Sequence, residues 1–462
     1  MNNNTNHDDK TLFENENLSN KITTRKDAAH ERYLSLDAEP MSLEAVGLTD
    51  EIVHRVYFTA GRKYKATERL FTAVGATVSD LLAIAAGGPD RYGYRSMATT
   101  SFTGMHVGHA SFKQVVDAMA IDGFVEVIAG EAYRADRAGR PGVATRFRAT
   151  NALLEMALGF GVTPCSWAKH FQPLPRLGRI TNPILLRSSS EHFKGKKLPG
   201  KAVAIPKGLS TVQALGETVN DINAFLARQD LDLGPYQHRF FQRIFSQGDC
   251  LPIYGWDKGG RLYSAGKDNY QQAPGDERSA FRFNGEATVE IDIGSSFLTI
   301  YRKLSGVEFD PVADPYDIPG LSRFASKSWV VMTFGHDRHH VRWPSDVKRK
   351  YQDGYEKHGA SEWGTGDLQL DHPYRDTHAL MLKALPELSE WATSPIRWGD
   401  LQYRESCAVV EVVHTLAVRY GIPALPVHDS IRVQVSARGV ATRALSDAFQ
   451  KHVGIIPIMN AK

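Results

Sequence analysis

Two aspartates stand where apolar runs end: Asp292 in Val289-Glu290-Ile291-Asp292-Ile293, and Asp429 in Val427-His428-Asp429-Ser430. Between them comes Arg323-x-x-x-Lys327, and ahead of all three comes Asp257-x-x-Gly260-Arg261. Each is ordinary alone: an aspartate at a strand end usually serves a turn, and Arg and Lys four apart usually make a solvated helix face. In this order they fit nucleotidyl transfer with two metal ions. In-line displacement of pyrophosphate builds charge on the attacking and leaving oxygens, and two divalent ions about 3.5–4 Å apart stabilise both. Mg²⁺ prefers oxygen ligands and keeps several waters, so two carboxylates suffice. A basic pair is then needed on the triphosphate side. The expected catalytic set is therefore Asp292, Asp429, Lys327 and Arg323, with Asp292 and Asp429 as ligands of two Mg²⁺ (or Mn²⁺) ions.

The elements that must position these residues are legible nearby. Val289, Ile291 and Ile293 alternate with Glu290 and Asp292, the period of a half-buried strand, and Gly294-Ser295-Ser296 follows. Ala424–Val427 and Ile431–Val435 bracket His428-Asp429-Ser430 as a hairpin tip. Pro426 places the first of these strands at an edge or bulge. Arg323 and Lys327 share a face if helical. Ahead of the hairpin, Val409, Val412, Val413, Leu416, Ala417 and Tyr420 recur at helical spacing, stopped by Gly421 and Pro423. Gln402, Arg404 and Glu405 at the start of that helix are candidates to face a primer–template.

The half from about Tyr254 to Val435 resembles the polymerase core of family A DNA polymerases and the single-subunit phage and mitochondrial RNA polymerases. Gly260-Arg261-Leu262-Tyr263-Ser264, then Tyr270-Gln271, Arg278 and Arg282, resemble the family A segment TGRLSSS…NLQN…R…R. Asp257-x-x-Gly260-Arg261 also resembles the DxxGR motif of the RNA enzymes, which contacts the template–product hybrid. The Asp292 strand resembles motif A. Arg323-x-x-x-Lys327, running to Phe334-Gly335, resembles motif B, R-x3-K…YG, with the pair one residue closer to the lysine. His428-Asp429-Ser430 resembles motif C, usually HDE in the DNA enzymes and HDS in the RNA enzymes. The motif A tail SQIELR is replaced by Gly294-Ser295-Ser296-Phe297-Leu298-Thr299, and no exonuclease carboxylate set stands upstream.

The resemblance implies an α+β right-hand polymerase core, palm and fingers with an antiparallel palm sheet, over 251–462. It implies nucleotide contacts from Arg323, Lys327, Phe297, Phe334, Gly335 and His428. It implies nucleic-acid contacts from Asp257, Gly260, Arg261, Tyr270, Gln271, Arg278 and Arg282. The partners are then a nucleic-acid template and primer with dNTP or NTP. Ser430 points to NTPs. Phe297, five residues past Asp292, points to dNTPs, because a bulky ring against the ribose C2′ excludes a hydroxyl. Steric exclusion is the more direct effect, so dNTPs are favoured; an RNA polymerase or primase using NTPs is the alternative. A non-catalytic winged-helix replication or regulatory protein is a third reading, disfavoured because both carboxylates and the basic pair are retained.

Residues 41–160 read as a second module. Helices are expected over Arg55–Ala73, Val78–Ala86 and His109–Ala120, the last with Phe112, Val115, Val116 and Met119 on one face. Strands are expected over Val125–Ile128 and Thr145–Arg148. The glycine-rich connection between them carries Arg134, Arg137 and Arg140. This succession resembles a winged helix-turn-helix, which would set Lys113 and Gln114 in a groove and Arg134, Arg137, Arg140 and Arg146 on phosphates.

Residues 1–40 are polar and expected to be a disordered tail. Residues 161–210, rich in Pro, Ser and Lys, read as a linker. Gly195 to Lys201 nearly spells a P-loop, but Ala202 stands where Ser or Thr is needed. Two thumb-like helices are expected within 211–250, over Thr211–Ala227 and Tyr236–Phe245, the second with Arg239 and Arg243 on one face. The 462 residues carry a net charge of only +3, so a nucleic-acid surface must be local. Cys165, Cys250 and Cys407 are scattered without a C-x-x-C pair, which argues against a disulfide framework or structural zinc and fits a reducing cytoplasm. No apolar run nears the roughly 20 residues of a membrane span, and no signal-peptide core opens the chain, so a cytoplasmic protein with no membrane partner is expected.

Overall fold

The computed structural model describes residues 31–59, 67–102, 105–131, 143–193, 196–250, 253–266, 268–311, 313–336 and 338–462. Arg134, Arg137 and Arg140 lie outside these, as do residues 1–30 of the expected tail. The chain is mixed α+β and divides into two compact units, Met1–Leu174 and Pro175–Lys462.

The first unit runs β1 (Arg32–Tyr33), β2 (Ala38–Pro40), α1 (Leu43–Thr59), α2 (Glu68–Ala85), β3 (Gly93–Arg95), α3 (His109–Ile121), β4 (Val125–Ile128), β5 (Thr145–Ala149), α4 (Asn151–Gly159) and β6 (Phe171–Pro173). One sheet has the order β1-β3-β5-β4, and β2 pairs β6. The helices expected over Arg55–Ala73 and Val78–Ala86 are instead α1 and α2. Thr67 starts a new helix there, its hydroxyl accepting from the Leu70 amide. Gly75 does not break α2, because a Cβ at that position would lie 2.8 Å from Cδ of Pro40; the close approach of β2 requires a glycine.

The Leu34–Leu36 segment is bound to this unit by two buried charges. Arg95, fully buried, donates to the Leu34 and Ser101 carbonyls and stacks on Phe102. Asp80 accepts from the Leu36 amide at 2.7 Å and from Ser35 Oγ at 3.2 Å. Leu36 sits at φ 55°, a strained region for a bulky residue, so that hydrogen bond holds a conformation the chain would otherwise leave. Burial pushes the Asp80 carboxyl up to about 7.

The second unit continues with β7 (Ile184–Arg187), β8 (Glu191–Phe193), β9 (Lys196–Leu198), β10 (Ala202–Val203), α5 (Ser210–Leu226), β11 (Leu231–Asp232), β12 (Phe241–Phe245), β13 (Gly259–Ser264), α6 (Gly275–Arg278), β14 (Arg282–Phe283), β15 (Glu286–Ile293) and α7 (Ser296–Leu304). It closes with α8 (Arg323–Phe334), α9 (Ser345–His358), α10 (Ala360–Trp363), α11 (Leu368–Asp371), α12 (Tyr374–Ala384), α13 (Trp398–Tyr420), β16 (Ala424–Val427), β17 (Ser430–Gln434), α14 (Arg438–His452) and β18 (Met459–Ala461). One sheet has the order β10-β7-β12-β13. The other has the order β11-β14-β15-β17-β16, with β18 also on β15. Every pairing in the second sheet is antiparallel.

Two expectations fail here. The stretch 161–210 is not a linker: it supplies β6 to β10, two of them in the first of these sheets. Tyr236–Phe245 is not a helix. Phe241, Arg243 and Phe245 are buried while Gln242 and Ile244 are half-buried, so the period is two and β12 forms. Asn223 on α5 clamps this strand through both backbone groups of Phe241. Arg239 and Arg243 therefore share no helix face: Arg239 pairs with Asp268, and Arg243 donates to the Gly260 carbonyl.

The expected helix before the hairpin is α13, which touches α5, α7, α14, β13 and β16. Its buried stripe of Val409, Val412, Val413 and Leu416 sits in the core. Each such side chain contributes about 1.5–3 kcal/mol by leaving water. No helix among the described residues is long and apolar enough to cross a membrane.

Asp80→Ala should strand the buried Leu36 amide, at a cost of about 1–3 kcal/mol. Its lower unfolding midpoint should come with faster hydrogen exchange at Leu36. Asp80→Asn keeps an acceptor and should cost much less. The raised carboxyl also sets a sign: the charged form opposes folding, so wild-type stability should fall as pH climbs from about 4 to about 7 relative to Asp80→Asn. Parallel pH profiles of the two proteins would refute that assignment.

Candidate active site

Strand register brings the two aspartates together. β15 pairs β17 with Ile291 opposite Ile431 and Asp292 opposite Ser430, so Asp429 sits one residue beyond the partner of Asp292. β17 is joined to β16 by the two-residue turn His428-Asp429, closed by the Val427–Ser430 pair. His428 takes φ 56°, a position that two-residue turns usually give to glycine. On the other strand, Ser295 at φ 53° turns the chain from β15 into α7. Both aspartates thus lie beside strained residues, each costing on the order of 1–3 kcal/mol. Pro426 is tolerated because β16 is an edge strand.

A cleft of about 550 Å³ opens over this corner. Asp292, Asp429, Arg261, Arg323, Lys327 and Phe297 line it, with Tyr316, Gly335, Glu405 and Lys462. Arg323 and Lys327 project from one face of α8, exposed; Arg323 donates to Asp314 at 2.7 Å and stacks on Tyr316. The Lys462 ammonium lies 2.8 Å from Asp292.

The residue that organises the corner is Glu405, fully buried on α13. It accepts from Nε and Nη2 of Arg261 and, at 2.6 Å, from Ser296 Oγ in the first turn of α7. Arg261 in turn stacks on the Phe297 ring at 5.5 Å and donates to His428 Nδ1 at 3.3 Å. Sequence reasoning placed Glu405 toward a primer–template. The structure places it beneath the site as an anchor, a role signalled only by an acid on the apolar side of a helix.

Three carboxylates therefore converge. Burial, then repulsion from Glu405 and Asp292, push Asp429 up to about 7, against the pull of Arg261. Burial and the neighbouring Arg261 hold His428 below its ordinary value, so its imidazole is neutral near pH 7.

These donors suit a hard divalent ion. Asp292 and Asp429 carry oxygen lone pairs, repel one another and face open space, so a bound cation would relieve both. Among the described residues no group of three or more His, Cys, Asp and Glu forms a metal cluster. The remaining ligands would then be waters and phosphate oxygens, as Mg²⁺ accepts. His336, His339 and His340 form no such cluster; His336 meets His340 edge-on, and His339 stacks on Trp329.

Other expected site residues are used elsewhere. Tyr270 is buried, its hydroxyl on the Pro426 carbonyl, and Gln271 holds Leu262, Ser264 and Pro426 backbone groups. Both brace the hairpin rather than face nucleic acid. Arg278 pairs with Glu290, and Gly260 is buried under Arg243. Asp257 is half-buried with Oδ1 enclosed, and Arg282 donates to the Gly285 carbonyl, away from the cleft lining. Phe334 is buried among Phe297, Tyr301 and Trp391, touching the cleft as a wall. His428 contacts Arg261 and is not part of the lining. In the first unit Arg146 is buried and paired with Glu31, which removes it as a phosphate contact; Lys113 pairs with Asp117 on the exposed face of α3, next to Gln114.

A carboxylate held high is a stability cost when ionised. Asp429→Asn should therefore raise the melting temperature of the metal-free protein by a few degrees at pH 8. The gain should shrink as pH falls through 7 and vanish below about 4, where the wild-type group becomes protonated in both folded and unfolded chains. No gain at pH 8 would contradict the crowded-carboxylate electrostatics.

Neither a protein-family model nor a curated protein matches the sequence. Among solved structures, the chain is similar to the POL domain of Pol1 from M. smegmatis in complex with DNA primer-template and dNTP, at 14% identity. That match covers 95% of this chain and 68% of the other, with a TM-score of 0.21.

Proposed function

We propose that this protein is a nucleotidyltransferase that extends a nucleic-acid strand on a template, with dNTPs preferred. The observation that carries the reading is the meeting of Asp292 and Asp429 with Arg323 and Lys327 around one cleft. A nucleoside triphosphate with divalent cations would use both the carboxylates and the basic pair.

In this reading Asp292 and Asp429 hold Mg²⁺ or Mn²⁺, which when bound stabilises charge on the attacking and leaving oxygens. Arg323 and Lys327, one helical turn apart, receive the triphosphate. Lys462, beside Asp292, offers a further cation at the same edge. Arg261 is set by Glu405 and presents its plane to Phe297. Phe297 lines the cleft five residues past Asp292, where its ring meets the sugar. Ser430, which looked like the RNA enzymes, shares its one hydroxyl proton between Glu290 and the Val427 carbonyl. Its role in the hairpin supports giving Phe297 the greater weight. For the first unit we propose a winged-helix-like nucleic-acid contact through α3 and the β4–β5 connection, resting on Lys113, Gln114 and the arginines at 134, 137 and 140.

Asp292→Ala and Asp429→Ala should each lower primer extension at least a hundredfold while leaving the circular dichroism spectrum unchanged. Retention of several per cent of activity by both variants would sink the assignment. Phe297→Ala should raise NTP use relative to dNTP, measured as the ratio of kcat/KM values. A wild-type preference for NTPs would put the RNA polymerase reading first.

A further inference from the structure

α8 carries Arg323 and Lys327 on its exposed face, and its opposite face rests on histidines that the nucleotide chemistry does not use. Residues two apart on a helix point about 200° apart, so Trp329 faces away from Lys327. Trp329 is fully buried. Its indole N–H donates to His378 Nδ1 on α12 at 3.2 Å, and the His339 ring stacks on it with centroids 5.5 Å apart. The two imidazoles meet edge-on at 5.0 Å, and Tyr374 stacks on His378. Neither imidazole lines the carboxylate cleft.

These contacts fix which protons the rings carry. An indole N–H only donates, so His378 Nδ1 is bare and the proton of that ring sits on Nε2. The Leu388 carbonyl only accepts, so His339 Nε2, 3.0 Å away, holds the proton of the other. His339 Nδ1 is then bare as well, and it is enclosed without a hydrogen-bond partner. A second proton on His378 would set two donors against each other. A second proton on His339 would be enclosed with nothing to receive it.

Little nearby could neutralise such a charge. The polar contacts of the two rings are those with Trp329 and Leu388, so among the described residues neither is paired with a carboxylate. On α12, Arg375, Asp376 and Lys383 are exposed, and burial holds Tyr374 up at about 12, so it stays neutral. On the turn that supplies Leu388, Glu387 is taken by Arg302. In the segment after α8, burial, then His336 and Arg338, holds His340 low against the pull of Asp346 on α9. Burial, then His339, holds His378 below its ordinary value.

We propose that His378 is a positioning residue for the basic pair, and that the His339–His378 pair is an acid-sensitive mount for α8. With both rings neutral, Trp329 is gripped and α8 presents Arg323 and Lys327 to the cleft. A proton on either ring breaks the grip from behind, without touching the cleft lining. Linkage fixes the direction: a base held low in the folded state withdraws stability as pH falls below about 6.5, its unfolded value. The inference rests on the proposed nucleotidyltransferase reading only for the ligand that Arg323 and Lys327 receive.

The test uses the full chain at about pH 7.5 and about pH 5.5, either side of the ordinary histidine range. Amide hydrogen exchange across α8, corrected for intrinsic rates, is read beside titration with a fluorescent dNTP and Mg²⁺. Wild-type protection of α8 should fall about tenfold at the lower pH, the size of one lost hydrogen bond. His378→Asn offers the indole N–H an uncharged acceptor, and His339→Phe keeps the stack, so the double variant should keep the same protection at both pH values. His378→Ala, without an acceptor, should show low protection at both. Asp429 also titrates in this range, so the deciding quantity is the ratio of wild-type to double-variant dNTP affinity. That ratio should drop about tenfold on acidification. Equal wild-type protection at both pH values, a double variant that loses as much as wild type, or a ratio that does not move overturns the proposal. Acid-sensitive α8 exchange, abolished in the double variant of a protein that binds no dNTP at either pH, would uphold the mount and remove the nucleotidyltransferase reading. Incorporation that needs Asp292 and Asp429 in a protein whose α8 exchange ignores acid would do the reverse.

Discussion

Three carboxylates in one half-buried corner are the constraint on which the second unit turns. Burial, then repulsion from Glu405 and Asp292, pushes up the Asp429 carboxyl where little water is available to screen it. Such a cluster persists only if cations answer it. Arg261 answers Glu405 and also pulls on Asp429, and Lys462 answers Asp292. The arrangement is costly for stability, as functional sites commonly are.

The fold supports this corner from beneath. α13 carries an apolar stripe into the core and one acid, Glu405, on its buried first turns. Through Glu405 the helix fixes Arg261 on β13 and Ser296 at the start of α7. Arg278, Arg432 and Ser430 all bond to Glu290 on β15, so the strand that carries Asp292 is locked to the strand that follows Asp429. A shift of one residue in this register would turn Asp292 into the core. The strained turns at Ser295 and His428 are tolerated because these pairings over-determine the backbone on both sides.

The aromatic cluster of Phe297, Tyr301, Phe334 and Trp391 joins the site to its surroundings. Phe297 touches Arg261 on one side and Phe334 on the other, so the ring assigned to the sugar is held by packing as well as by cation–π attraction. Phe334 and Gly335 line both this cleft and a second one that Ser188, Ser189 and Tyr263 also line.

By itself the sequence determined what short-range physics writes into a string. Alternation marked β15, a break between apolar runs marked the hairpin tip at His428-Asp429-Ser430, helical spacing ended by Gly421 marked α13, and the Arg323–Lys327 interval marked a shared face on α8. The positions of the two aspartates at the ends of β15 and of the hairpin were legible for the same reason, since residue type and order along the chain are local facts. Local signals also misled. Tyr236–Phe245 has helix-compatible composition and became β12 because Asn223 and the neighbouring strands β7 and β13 capture its backbone; Pro, Ser and Lys suggested a linker where strand pairing at 184–203 builds a sheet edge and a cleft wall. Tyr270, Gln271, Arg278 and Arg146 looked available for nucleic acid and are consumed by partners distant in sequence. Glu405 and Lys462 entered the site only through tertiary structure, 113 and 170 residues from Asp292. Burial and long-range pairing depend on which elements meet, and that is decided by packing of the whole core, not by any window of the chain.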